Sequence, residues 1–182
     1  MSYTTFEQFD KVIAGCKKVF MTKMIDYGTA WRILRTSSLT DQIYIKASRI
    51  RSIQEKGASK VNEGIQPEFV GIINYSIMAL IQLRLGVAED SHMDTDYVSS
   101  LFDESALQAK GLMADKNHDY SEAWRQMRIS SLTDIILMKL LRTKQIEDND
   151  GKTIISEGLE ANYLDIVNYS VFALILMDEG KQ

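Results

Sequence analysis

Apolar residues recur along this chain at three- and four-residue spacing and almost never alternate with polar ones, a pattern that predicts helices and no sheet. The expected class is all-α. Phe6, Phe9, Val12, Ile13, Cys16, Val19 and Phe20 trace one face of a first helix over residues 5–24. A short helical turn over 31–35 follows, and then a second long helix from Ser38 to about Ser52. In Ser38-Leu-Thr-Asp41 a hydroxyl precedes a carboxylate by three residues, the spacing of a capping box, which places the helix start at Ser38. Residues 69–85 are apolar nearly all round, which predicts a helix buried on every side, with Pro67 tolerated in its first turn.

The same pattern is then written a second time. At an offset of 93, Asp26-Tyr27 returns as Asp119-Tyr120 and Ala30-Trp31-Arg32 as Ala123-Trp124-Arg125. Arg35 returns as Arg128, Ser37 to Asp41 as Ser130 to Asp134, and Lys46 and Arg49 as Lys139 and Arg142. Fourteen of the twenty-four positions from Asp26 to Arg49 are identical, so the chain is an internal duplication. The counterpart of the first helix is expected over 99–114, the second capping box at Ser131 to Asp134, and the second apolar helix over 163–177. The units are residues 1–90 and 91–182, joined by an acidic, small-residue linker over 86–96. Neither apolar helix can be covered by about 90 residues alone, so the expected architecture is one merged bundle with the units packed about a pseudo-two-fold axis.

Composition narrows the function classes. A net charge of −4 argues against bulk nucleic-acid binding, which rests on a basic stripe. The single cysteine excludes an internal disulfide and a cysteine-rich zinc site. With no basic segment leading an apolar run at the start, and no uninterrupted apolar run of ~18 residues, the expectation is a cytoplasmic protein without a membrane partner.

Chemistry has to come from carboxylates, cations and amides, since no Ser/His/Asp set, Cys/His pair, glycine-rich phosphate loop or His-x-x-x-His pair occurs. The apolar helices carry Asn74-Tyr75-Ser76 and, in the second unit, Asp165, Asn168, Tyr169 and Ser170. Asn and Tyr there serve either a helix-to-helix hydrogen-bond network or a ligand. A buried Asp165 needs a cation, either Lys or Arg from a neighbouring helix or a metal ion. Lys46 with Arg49, and Lys139 with Arg142, stand one turn apart and are suited to hold a phosphate or neutralise those carboxylates. Trp31 with Arg32 and Arg35, and Trp124 with Arg125 and Arg128, offer either a phosphate clamp beside a stacking indole or a core anchor with arginine packed over it. Lys23 and Lys116 precede these turns as further phosphate ligands.

The order Lys-x-x-Asp-Tyr, Ala-Trp-Arg, Ser-Leu-x-Asp, Lys-x-x-Arg, Glu-Gly and finally Asp-x-x-Asn-Tyr resembles, across both units, the family called nucleotide modification associated domain 1. The resemblance implies an all-α protein linked to modified-nucleotide metabolism in bacteria and phages. A looser similarity is to all-α nucleoside triphosphate pyrophosphatases of the MazG type, which implies a MazG-like bundle and magnesium held by paired carboxylates. Glu63, Glu68, Glu157 and Asp165 are the residues that would hold such an ion. The paired acids are split, however. Glu68-x-x-Gly71 aligns with Asn162-x-x-Asp165, so each unit keeps one acid and lacks the other.

Two readings follow. One is a nucleotide-processing protein, with Mg2+ orienting a phosphate ester or pyrophosphate for hydrolysis. The alternative is a non-catalytic helical module that binds a nucleotide, another phosphorylated small molecule or a partner. The split acids predict at most one strong magnesium or nucleotide site, with Asp165 its most sensitive residue and Glu68 a possible contributor across the axis.

Overall fold

The computed structural model describes residues 4–57, 64–90, 92–154 and 157–181. Among them the chain forms α1 (Thr5–Tyr27), α2 (Thr36–Lys56), α3 (Gln66–Leu85), α4 (Thr95–Tyr120), α5 (Ile129–Asp148) and α6 (Leu159–Asp178). A 3-10 turn precedes α2 at Ala30–Ile33, and a second precedes α5 at Ala123–Gln126. The described residues contain no strand, so the class is all-α.

Local chemistry sets the helix limits. Thr4 caps α1, its hydroxyl accepting from Glu7 N at 3.3 Å while the Glu7 carboxylate accepts from Thr4 N at 2.8 Å. A capping box therefore forms at Thr4, whereas the two expected at Ser38 and Ser131 do not. The N-caps of α2 and α5 are Arg35 and Arg128, extended residues that close the 3-10 turns and make no side-chain cap bond. Their carbonyls already accept from Ser38 N and Ser131 N, so both serines lie inside the first turn. α4 is longer than the apolar pattern indicated, because Asp94 caps it early by accepting from Tyr97 N.

α3 and α6 lie against each other at the centre, α2 and α5 flank them and also meet, and α1 and α4 cover the remaining faces. One apolar cluster joins all six, including Phe20 and Phe102, Ile43 and Ile136, and Ile72 and Ile166. By length and mean hydropathy α3 and α6 would suit a bilayer, yet the same composition is what a helix enclosed by protein requires.

Ion pairs between the units come in exchanged couples. Lys17 meets Asp103 at 2.8 Å, and their counterparts Lys110 and Asp10 meet at 2.7 Å. Arg51 lies 3.7 Å from Asp134, and Lys144 lies 3.2 Å from Asp41. A contact that returns with its ends swapped is the signature of a two-fold axis, so the units pack as the halves of an isologous dimer would.

Candidate functional site

Each unit carries a pocket where its first helix meets its apolar helix, bordered by Lys46 of α2 in the first unit and by the 3-10 turn in the second. In the first unit a cavity of about 360 Å3 is walled by Phe20, Val70, Tyr75 and Met78, with Lys23 and Lys46 at its polar side. It shares Phe20, Lys23, Tyr75 and Met78 with an adjoining cleft that extends to Trp31. In the second unit a cavity of about 370 Å3 lies between Lys116, Trp124, Asp165, Tyr169 and Phe172. Lys23 corresponds to Lys116, Tyr75 to Tyr169 and Met78 to Phe172, so the duplication built one pocket twice.

The buried asparagine is the most telling feature of both. Asn74 Nδ2 donates to Cys16 O at 3.0 Å, and Asn168 Nδ2 donates to Ala109 O at the same distance. Cys16 and Ala109 are themselves counterparts. Only an amide nitrogen can donate to a carbonyl, so this bond fixes each side chain and leaves Oδ1 as a free acceptor. Neither Oδ1 has a partner among the described residues, although Asn74 and Asn168 are 7% and 5% exposed. A buried acceptor without a donor is costly, so its repetition at two equivalent places requires a reason. Both residues line their cavities.

Charge separates the two pockets. In the first, the buried Glu68 takes Arg49 at 2.7 Å and Lys46 at 3.4 Å. The Lys46 stem lies across Gly71, where a Cβ would stand 2.7 Å from Lys46 Cε. Lys23 meets no carboxylate among the described residues and lines the cavity as an unpaired cation. In the second, Asp165 is 2% exposed and each of its oxygens is taken, Oδ1 by Lys116 at 2.6 Å and Oδ2 by Lys139 at 2.7 Å. For Lys116, burial works against the charged form, but the hydrogen bond and charge of Asp165 outweigh it and hold the ammonium above its usual value. The Tyr169 phenol is pushed up by burial and by the nearby Asp165 charge. Arg142, the counterpart of Arg49, forms no ion pair among the described residues, Asn162 standing where the first unit has Glu68. It opens instead with Lys152 and Glu157 onto a separate polar groove of about 600 Å3.

The other expected site residues are dispersed. Trp31 is half-buried against Phe20, and Trp124 stacks on Phe172 at 4.1 Å with Arg125 over its ring at 4.5 Å. Arg32 does not clamp a ligand with Arg35. Its buried guanidinium donates to Gln82 Oε1 and, at 2.8 Å, to Gly86 O, fastening the 3-10 turn to the end of α3. Arg125 reaches Gln8 at 2.6 Å and Glu179 at 2.9 Å, tying α1 to the end of α6. Arg35 and Arg128 are exposed at helix starts. Glu63 lies outside the described residues. Glu68 and Asp165 are each taken up by cations of their own unit and do not combine across the axis. No three carboxylate, histidine or cysteine side chains gather as metal ligands among the described residues.

Sequence reading missed Phe20, Met78 and Phe172 as pocket walls, since their spacing marks them only as core. It also missed that Lys116 shares Asp165 with Lys139. Cys16 is no nucleophile, as burial pushes its thiol up to about 12.

The family model described as nucleotide modification associated domain 1 matches residues 23–83 and again residues 116–177, once in each unit. No curated protein and no solved structure matches the chain.

Proposed function

The chain belongs to the nucleotide modification associated domain 1 family, whose domain it carries twice in tandem, and from that premise we propose that it is a nucleotide-binding protein with its phosphate site in the first-unit pocket. The observation that carries this reading is the twin pocket with its unpaired asparagine acceptor. A nucleobase presents ring N–H or amino donors to such an acceptor and a flat apolar face to Phe20, Tyr75 and Met78. Lys23, the unpaired cation at the polar side, takes the phosphate, and Lys46 adds its charge from across Gly71. Binding of this kind uses every repeated polar residue of the pocket.

Magnesium-dependent hydrolysis fits the described residues less well. Glu68 and Asp165 are each already balanced by two cations, and Glu157 is exposed beside the polar groove. A hard dication needs several oxygens turned toward one point, and these carboxylates are turned toward ammonium and guanidinium groups. The reading is therefore a binding module, which positions or delivers a nucleotide.

Calorimetric titration with nucleoside 5′-monophosphates, with and without magnesium, tests this directly. Binding to the wild type that is indifferent to magnesium and at least about tenfold weaker in Lys23→Met is the expected result. Release of phosphate or pyrophosphate from a nucleoside triphosphate in the presence of magnesium would overturn it in favour of a hydrolase.

A further inference from the structure

We propose that the second-unit pocket is a distinct site for an uncharged nucleoside or nucleobase, in which the Asp165 carboxylate stands where the first pocket receives a ligand phosphate. The ligand class rests on the nucleotide-binding reading above, while the exclusion of phosphate rests on this pocket's own geometry. Lys116 and Lys139 are the counterparts of Lys23 and Lys46, the two cations that face the first cavity. Here one carboxylate, nearly sealed from solvent, engages both of them, one through each oxygen. An arriving phosphate would find its cations taken and a fixed negative charge between them, so the site repels what its twin attracts.

What remains free is complementary to a heterocycle. Asn168 Oδ1 is a buried acceptor and Trp124 Nε1 a buried donor, both without partners among the described residues, and both residues line the cavity. Trp124 is covered on its faces by Phe172 and Arg125, so only its edge can serve a ligand. Tyr169, Met113 and Met127 supply the apolar wall. One donor and one acceptor over an apolar wall suit the edge of a base, where N–H groups and lone pairs alternate. The first unit has no equivalent arrangement, since Gly71 supplies no carboxylate and Trp31 stands in the adjoining cleft, more exposed than Trp124.

The test uses the full chain carrying Lys23→Met and Asn74→Leu, which remove the phosphate cation and the base acceptor of the first pocket, titrated calorimetrically with adenosine, guanosine, cytidine and thymidine and with their 5′-monophosphates. One equivalent of at least one nucleoside should bind, with its monophosphate at least tenfold weaker. Adding Asp165→Asn should erase that preference or reverse it. Asp165→Asn leaves two lysines without a counter-charge and thermal melting must show that it folds. Asn168→Leu keeps the ion pairs intact and provides the second arm, in which nucleoside binding should be lost. Equal affinity for nucleoside and monophosphate, no nucleoside binding at all, or binding indifferent to Asn168→Leu would each overturn the proposal. Failure of the first-pocket reading looks different: monophosphate binding to the wild type would be absent or insensitive to Lys23→Met, whatever the second pocket does.

Discussion

At the scale of single residues, the duplication supplies its own controls, because each side chain can be compared with its counterpart in a different environment. Arg32 and Arg125 descend from one position, yet Arg32 is sealed beneath the end of α3 while Arg125 spans the seam between α1 and α6. Gln82, which locks Arg32 in place, has Leu176 as its counterpart, and that exchange is why the two arginines part company. Arg32→Met should therefore cost about 1–3 kcal/mol of stability, because it leaves the buried Gln82 Oε1 without its donor. Chemical denaturation measures this, and unchanged stability with lost ligand affinity would return Arg32 to the binding site. Ser121 adopts φ 51° and Glu122 φ 57°, both in the left-handed region, where the first unit has Gly28 and Thr29. Ser121→Gly should relieve about 1 kcal/mol of that strain and raise Tm by roughly 2–4 °C in a melting experiment.

At the scale of elements, α3 and α6 are one helix with its acid moved by a turn. An additional residue in the second loop shifts the offset from 93 to 94, so Glu68 aligns with Asn162 and Asp165 with Gly71. The move decides which of three repeated cations is left unpaired. An acid at the helix start takes Lys46 and Arg49 and frees Lys23, whereas an acid one turn later takes Lys116 and Lys139 and frees Arg142. Rewriting α3 in the manner of α6 should then close the first pocket to phosphate. The double change Glu68→Asn with Gly71→Asp is expected to weaken monophosphate binding at least about tenfold by calorimetry. Lys46 can swing aside for the new side chain, since the atoms in the way belong to the far end of a flexible stem. The element scale also shows selection for the seam between the units: exposed Arg84 meets Glu104, and at the counterpart positions Lys11 meets Asp178 at 3.1 Å with the signs reversed. Each exposed pair is worth little alone, but a charge reversal that keeps the attraction argues that the contact itself was retained.

At the scale of the whole molecule, the helical class, the six helices and the central place of α3 and α6 were legible because each rests on periodicity and total apolar content. The need of Asp165 for a cation was legible too, since Lys139 stands on the neighbouring helix. The partnership of Lys116 with Lys139 was not, because it depends on α4 lying beside α6, which no spacing within one helix records. The capping boxes were misplaced for a related reason: the 3-10 turns, not the serines, set where α2 and α5 begin. A cross-unit cluster that sequence reading also missed joins Tyr163 of α6 to Thr40 of α2 at 2.6 Å and to Glu147 of α5 at 2.9 Å. At the equivalent place Phe69, Thr133 and Gln54 make an uncharged version, with Gln54 donating to Thr133 at 3.1 Å. Burial raises the Glu147 carboxyl and outweighs the hydrogen bonds from Thr40 and Tyr163 that favour its charge, and Asp41 and Asp148 raise it further. The folded state thus holds this proton more tightly than the unfolded chain. Its stabilising contribution is complete below the ordinary glutamate value of 4.5 and is lost as pH rises through the raised value. Glu147→Gln copies the first unit and removes the titration, so its melting temperature should exceed that of the wild type at neutral pH. The difference should shrink as the pH is lowered toward 4.5. Parallel melting curves of the two proteins across that range would show instead that the two hydroxyl donors fully offset burial and leave the Glu147 carboxyl unshifted by folding.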